Sequence, residues 1–88
     1  MTEEEKVFAE LKRTMAILLN LNTQEMDSIA EISSHLRNDL GIDSVESLDF
    51  LSSIEELYKI KISDYEAAKL EKVSDVISII IKKKTMEK

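Results

Sequence analysis

The segment Asp39–Phe50, DLGIDSVESLDF, contains the only glycine in a chain of 88 residues that has no proline. It follows a polar stretch and begins a run of apolar residues at helical spacing. Asp43 and Glu46 have the spacing of a capping box, in which each side chain bonds the backbone N–H of the other residue. The segment therefore predicts a helix that begins at Ser44, after a tight turn for which Gly41 allows a positive φ.

The helix that begins at Ser44 is predicted to end near Tyr58. Its acidic residues fall largely on the outer face. Apolar residues recur at steps of three or four along the other face, which is the pattern of a helix packed on a core. The predicted buried stripe is Leu48, Leu51, Ile54, Leu57 and Tyr58.

Helical signals continue on both sides of this segment. A capping box of Thr2 and Glu5 begins a helix that extends to about Leu19. A second box, of Ser63 and Glu66, begins a short helix after the central one. Strand-like alternation is scarce, so the chain is predicted to be all-α.

The segment 20–43 is too long to be a structureless loop in a compact domain. A helical turn is expected within 25–31, and a last helix over 73–83. We predict one domain over 1–88, a small four-helix bundle with three main helices, one short helix and a long first loop, frayed at 84–88. The residues expected to anchor the long loop are Met26, Ile29, Ile32, Leu36 and Leu40.

Composition excludes several kinds of site. There is no cysteine, which excludes disulfides and thiolate chemistry, and His35 is the only histidine, so no metal site is predicted. The net charge of −6 disfavours nucleic acid and favours basic protein partners. No apolar run is long enough for a membrane span, and the acidic start MTEEEK does not resemble an export signal, so the cytoplasm is expected.

Three roles are open for Ser44. A serine hydrolase would need a base beside it, but His35 is nine residues away and no G-x-S-x-G motif is present, so a self-contained enzyme is disfavoured. Ser44 and Asp43 could simply cap a helix. The third role is covalent attachment of a phosphate, which the free N–H groups at a helix start would stabilise. From sequence alone, His35 is more readily a solvated residue than one that steadies the loop.

The stretch Asp39–Val45, DLGIDSV, closely resembles the D-L-G-x-D-S-[LV] motif of acyl carrier proteins. Ile54–Tyr58 is similar to the family's acidic segment ending in an aromatic residue, and Ile62–Asp64 to its I-P-D segment. The resemblance covers almost the whole chain. It implies that a phosphopantetheinyl transferase attaches 4′-phosphopantetheine, taken from coenzyme A, to Ser44.

The resemblance further implies a non-catalytic, monomeric carrier in which Gly41 and Asp43 shape the site around Ser44. The thiol of the attached arm would hold acyl groups as thioesters and deliver them to partner enzymes of fatty acid or related lipid and polyketide biosynthesis. Two alternatives stay open. One is a carrier of aminoacyl or polyketide intermediates in a specialised pathway, and the other is an unmodified helical domain that acts by docking alone.

Two surfaces also follow from the resemblance. Acyl-transferring and chain-elongating or modifying enzymes with basic patches would dock on the central helix, at Val45, Glu46, Asp49, Glu55 and Glu56. The acyl chain would be sheltered between helices, where each methylene buried contributes about 0.8 kcal/mol. The candidate lining residues, whose alternative role is ordinary core packing, are Leu48, Leu51, Ile62, Leu70, Ile77 and Ile80.

The chain departs from the family pattern at several positions. Asp49 replaces a usual glutamate, Phe50 a usual aliphatic residue and Ser63 a common proline, while Lys59 and Lys61 occupy positions that are often acidic. The central helix therefore ends less acidic than in carriers of bulk fatty acid synthesis. This difference favours a specialised set of partners.

Overall fold

The computed structural model describes residues 2–86, apart from the side chains of Ser44, Thr85 and Met86. Within that range the chain is helical and has no strand, as predicted, but it forms five helices where the sequence predicts four. In chain order they are α1 (Glu3–Leu19), α2 (Thr23–Ile29), α3 (Ser44–Tyr58), α4 (Asp64–Ala68) and α5 (Val73–Met86). None of these five helices is long and apolar enough to cross a membrane.

Capping boxes determine where the first four helices begin. Those of α1, α3 and α4 are the predicted pairs, and both reciprocal bonds form in each. The box that begins α2 is absent from the sequence prediction. Asn22 Oδ1 accepts the N–H of Glu25 at 2.8 Å, and Glu25 Oε1 accepts the N–H of Asn22 at 3.0 Å. Because such a cap stabilises a helix by about 0.5–2 kcal/mol, the predicted turn is a helix that starts earlier, at Thr23.

The core lies around α1, which packs against α2, α3 and α5. Every helix except the short α4 contributes buried residues, and Ile42 adds one from the loop before α3. The largest fully buried side chains are Val7, Leu11, Met15, Met26, Ile42, Phe50, Ile54, Val73, Val76 and Ile80.

The buried face of α3 differs from the predicted stripe. Phe50 and Ile54 are its buried residues, whereas Leu48 is 66 % exposed and Leu57 is 52 % exposed. Leu48 and Phe50 lie about 160° apart around the helix axis, so only one of them can face the core. Leu57 lies in the last turn, at an open groove beside α1. The prediction that Leu48 and Leu57 are buried is therefore wrong.

Backbone hydrogen bonds hold the segment 30–43 against the connection between α4 and α5. Leu36 donates its N–H to the Glu71 carbonyl at 2.8 Å, and Val73 donates its N–H to the Ser34 carbonyl at 3.0 Å. These bonds reduce the need for apolar anchors, and two of the predicted anchors are exposed instead. The buried anchors are Met26, Leu36 and Leu40, and the exposed ones are Ile29 and Ile32.

The C-terminal helix extends past its predicted end at Lys83. Lys84 Nζ lies 2.7 Å from a carboxylate oxygen of Glu3 and 5.3 Å from the centre of the Tyr58 ring. These contacts connect the end of α5 to α1 and α3. The fraying of residues 84–88 stays a prediction. Residues 87 and 88 lie outside the described range.

Tyr58 connects α3 to α1, because its hydroxyl donates to Glu10 Oε1 at 2.7 Å. We expect Tyr58→Phe to lower the free energy of unfolding by about 1–2 kcal/mol, since a bond to an ionised group is lost while the ring is kept. Urea unfolding measures the change. Tyr65→Phe is the matched control, since Tyr65 is largely exposed.

The effect of Tyr58→Phe should depend on pH. Burial, followed by the hydrogen bond to Glu10, raises the pKa of Tyr58 above its ordinary value of 10.0. A pKa raised by folding contributes stability below the unfolded-state value and loses it as the pH rises further. The difference between wild type and Tyr58→Phe should therefore be constant between about pH 6 and pH 9 and shrink above about pH 10. A difference that grows with pH in that range would contradict this assignment.

Candidate functional site

A compact turn over residues 35–42 leads into α3. Ile42 donates its N–H to the Leu36 carbonyl at 2.9 Å, and Gly41 donates its N–H to the Arg37 carbonyl at 3.1 Å. Gly41 has a φ of 70°, in the left-handed region that favours glycine. Ile42, next in the chain, is 1 % exposed. The turn is therefore fixed to the core one residue before the cap of α3.

His35 steadies this turn, contrary to the solvated role favoured from the sequence. Its Nδ1 accepts the N–H groups of Arg37 at 3.2 Å and Asn38 at 3.1 Å. Its own N–H donates to Asp39 Oδ2 at 2.7 Å. An imidazole that accepts at Nδ1 carries its proton on Nε2, so neither ring nitrogen is available as a general base.

The capping box of α3 engages two of the four backbone N–H groups at the start of the helix. A helix leaves its first four N–H groups without intrahelical acceptors. Here Glu46 Oε1 accepts from Asp43 at 3.2 Å, and Asp43 Oδ1 accepts from Glu46 at 2.8 Å. The remaining two belong to Ser44 and Val45, at the positive end of a helix of 15 residues. This arrangement suits an anionic group attached at Ser44.

The surroundings of Ser44 are open. Asp43 is exposed, and Val45 is 70 % exposed. The sequence also predicts that the Ser44 hydroxyl is exposed, but the Ser44 side chain is not among those that the structure describes.

The left-handed φ of Gly41 gives a stability prediction. A Cβ placed on Gly41 would meet nothing within 4 Å, so the cost of a side chain there is conformational and not steric. We expect Gly41→Ala to lower the free energy of unfolding by about 1–2 kcal/mol. Gly41→Asn, the matched variant, should cost less because asparagine tolerates this conformation. Equal losses in urea unfolding for both variants would contradict this explanation.

A cleft of about 340 Å³ opens beside the first turns of α3. Ser47, one turn after Ser44, forms part of its wall, and Glu71 faces it from the connection between α4 and α5. Sequence reasoning missed Ser47, although it lies three residues after Ser44 and so on a neighbouring face. The other lining residues are His35, Leu36, Arg37, Ile42 and Leu70.

The structure separates the predicted acyl-lining residues. Only Leu70 reaches the cleft. Ile77 and Ile80 are buried in the core, and Leu51 and Ile62 pack against it half-buried. Leu48 lies on the surface. The acyl-lining role of these six residues stays a prediction.

The predicted docking residues also differ in exposure. Asp49 and Glu56 are exposed on the outer face of α3, together with Val45. Glu46 is half-buried by its role in the cap. Glu55 is half-buried as well, and its Oε2 accepts the N–H of Ile62 at 2.8 Å, so it bonds within the fold.

Comparison with known proteins identifies relatives over most of the chain. A family model described as "Phosphopantetheine attachment site" matches residues 9–80. An acyl carrier protein of Coprothermobacter proteolyticus is 37 % identical over 78 residues, which cover 89 % of this chain and 90 % of that protein. An acyl carrier protein of Cyanidium caldarium is 29 % identical over 83 residues, which cover 94 % and 92 %.

A solved structure shares the fold. The crystal structure of an acyl carrier protein from Thermotoga maritima superimposes with a TM-score of 0.81, covering 100 % of this chain and 98 % of that one. The sequence identity is 24 %, so this likeness concerns the fold alone. The five helices described above are thus an arrangement found in an experimental structure.

Proposed function

Because the chain belongs to the acyl carrier protein family and contains its phosphopantetheine attachment site, we propose that Ser44 is the residue that carries the 4′-phosphopantetheine. The observation that supports this assignment is the start of α3. Its capping box leaves the N–H groups of Ser44 and Val45 for a phosphate and keeps the carboxylates of Asp43 and Glu46 engaged with the backbone.

The prosthetic group is covalent and is derived from coenzyme A. When attached, it supplies the thiol that a chain without cysteine lacks, and this thiol holds acyl groups as thioesters. In the attachment step, the Ser44 oxygen forms a bond to the phosphorus of coenzyme A that bears the pantetheine. The pyrophosphate P–O bond breaks, and adenosine 3′,5′-bisphosphate leaves. The serine proton passes to a base on the transferase, since neither nitrogen of His35 is free to accept it.

The residues around Ser44 position it and do not react. Gly41 and Ile42 fix the turn to the core, and Asp43 fixes the first turn of α3. The same bonds hold the attachment point in one place while the flexible arm moves. We therefore infer a non-catalytic, monomeric carrier, which acts in the cytoplasm where coenzyme A is available.

Partner enzymes dock, on this proposal, on the outer face of α3. Asp49 and Glu56 present carboxylates there, and Val45 presents an apolar contact beside the attachment point. Arg and Lys on the partner would pair with the carboxylates, each exposed pair contributing about 0–1 kcal/mol. Lys59 and Lys61 are exposed beyond the end of the helix. The charge thus changes from negative on α3 to positive just beyond its end, which favours partners of a specialised lipid or polyketide pathway.

The mass of the protein purified from its native cells tests the carrier function. We expect intact-mass spectrometry to show the chain plus one phosphopantetheine, part of it with a further acyl mass. Neutral hydroxylamine should remove the acyl mass and leave the phosphopantetheine, since it cleaves thioesters readily. The mass that hydroxylamine removes identifies the acyl group that the protein carried. A chain of unmodified mass throughout would favour the docking-only alternative.

A further inference from the structure

An apolar groove lies between α1 and α3, away from the cleft beside Ser44. Its two walls are Ile17 on α1 and Leu57 on α3, and its volume is about 290 Å³. Thr14, Leu18 and Ser53 complete it. No residue lines both this groove and the cleft.

The walls of the groove are unusually exposed for large aliphatic residues. Ile17 is 78 % exposed and Leu57 is 52 % exposed. Single exposed aliphatic residues are ordinary, but two that face each other across a groove form a continuous apolar surface. The small side chain of Ser53, four residues before Leu57, leaves the space between them. The groove therefore has room for an apolar side chain from outside.

Unpaired carboxylates flank this groove. Asp49 lies four residues before Ser53 on α3 and Glu56 three residues after it, so both are close to the groove on the helix surface. Both are exposed, and neither has a hydrogen-bond or ion-pair partner in the described part of the chain. Lys59, at the end of α3, is positive. A ligand that fits this surface is apolar in the groove and basic towards Asp49.

We propose that the groove is a docking site for a partner enzyme whose helix inserts an aliphatic or aromatic side chain between Ile17 and Leu57. Arginine or lysine on the same helix pairs with Asp49 and Glu56. The docking face thus extends from α3 onto α1. This inference rests on the proposed function in taking the occupant to be an enzyme that docks on α3.

Titration of the ¹⁵N-labelled protein with a synthetic peptide tests the proposal. The probe is an amphipathic helical peptide with two leucines spaced i, i+4 and arginines beside them. We expect amide shifts at Thr14, Ile17, Ser53 and Leu57. Ile17→Ser and Leu57→Ser should each raise the dissociation constant of the peptide about tenfold, as truncation of an anchoring contact does.

Two controls make the result specific. Ile29→Ser removes an exposed aliphatic side chain on α2, outside the groove, and should leave the dissociation constant unchanged. A peptide with glutamates in place of the arginines should not bind, since it would meet Asp49 and Glu56. Circular dichroism should show that the three protein variants keep the wild-type fold, because each replaced side chain is exposed.

The proposal is overturned by absence of binding. It is overturned equally if the amide shifts are confined to the first turns of α3 and Ile17→Ser binds the peptide as tightly as wild type does. The carrier function is judged separately, by whether a phosphopantetheinyl transferase modifies wild type and Ile17→Ser alike. Modification without groove binding would refute the groove alone, and groove binding without modification would refute the carrier.

Discussion

Phe50→Ala should lower the free energy of unfolding by about 3–5 kcal/mol, the largest loss of stability that we expect from one substitution in α3. Phe50 is 1 % exposed and is the largest of the fully buried side chains. Its truncation removes the transfer free energy of the ring and leaves a cavity that close-packed neighbours fill only in part. For a domain whose total stability is about 5–15 kcal/mol, much of the protein could be unfolded at 37 °C.

Urea unfolding followed by circular dichroism measures this loss. Leu48→Ala is the matched control, because Leu48 lies two residues away on the same helix and is 66 % exposed. It should change the free energy of unfolding by no more than about 0.5 kcal/mol. A similar loss for both variants would mean that Leu48 belongs to the core, as the sequence pattern predicts, and that the observed face of α3 is wrong.

The sequence predicts where the helices of this chain begin better than it predicts which of their faces is buried. Helix starts depend on local capping bonds, and three of the four boxes can be identified from Thr, Asp or Ser followed three residues later by Glu. The box of α2 has Asn22 as its cap, and it escapes a search limited to hydroxyl and carboxylate residues. The face of α3 depends on its neighbours. Apolar residues occur around much of this helix, so periodicity alone cannot distinguish Phe50 from Leu48.

The proposed attachment site at Ser44 is more predictable than its surroundings for the same reason. Gly41, Asp43 and Ser44 lie within four residues of sequence, so their motif is visible without a structure. The cleft beside them brings Glu71 next to His35, and no local pattern reports a contact across that distance in the chain. The groove walls Ile17 and Leu57 also meet only through the packing of α1 on α3.

Ser44→Ala should abolish the attachment of phosphopantetheine altogether. The oxygen that would be esterified is removed, and no rearrangement of the turn can replace it. The variant should fold normally, since Asp43 and Glu46 make both side-chain bonds of the α3 capping box. Ser47→Ala is the matched control, because Ser47 is a serine one turn along the same helix and keeps the attachment point intact.

The most direct measurement is the intact mass of the purified protein after incubation with coenzyme A and a broad-specificity phosphopantetheinyl transferase. Wild type and Ser47→Ala should each gain one phosphopantetheine, and Ser44→Ala should gain none. An unchanged mass for folded wild type, or a gain that persists in Ser44→Ala, would contradict the assignment of Ser44 as the attachment point.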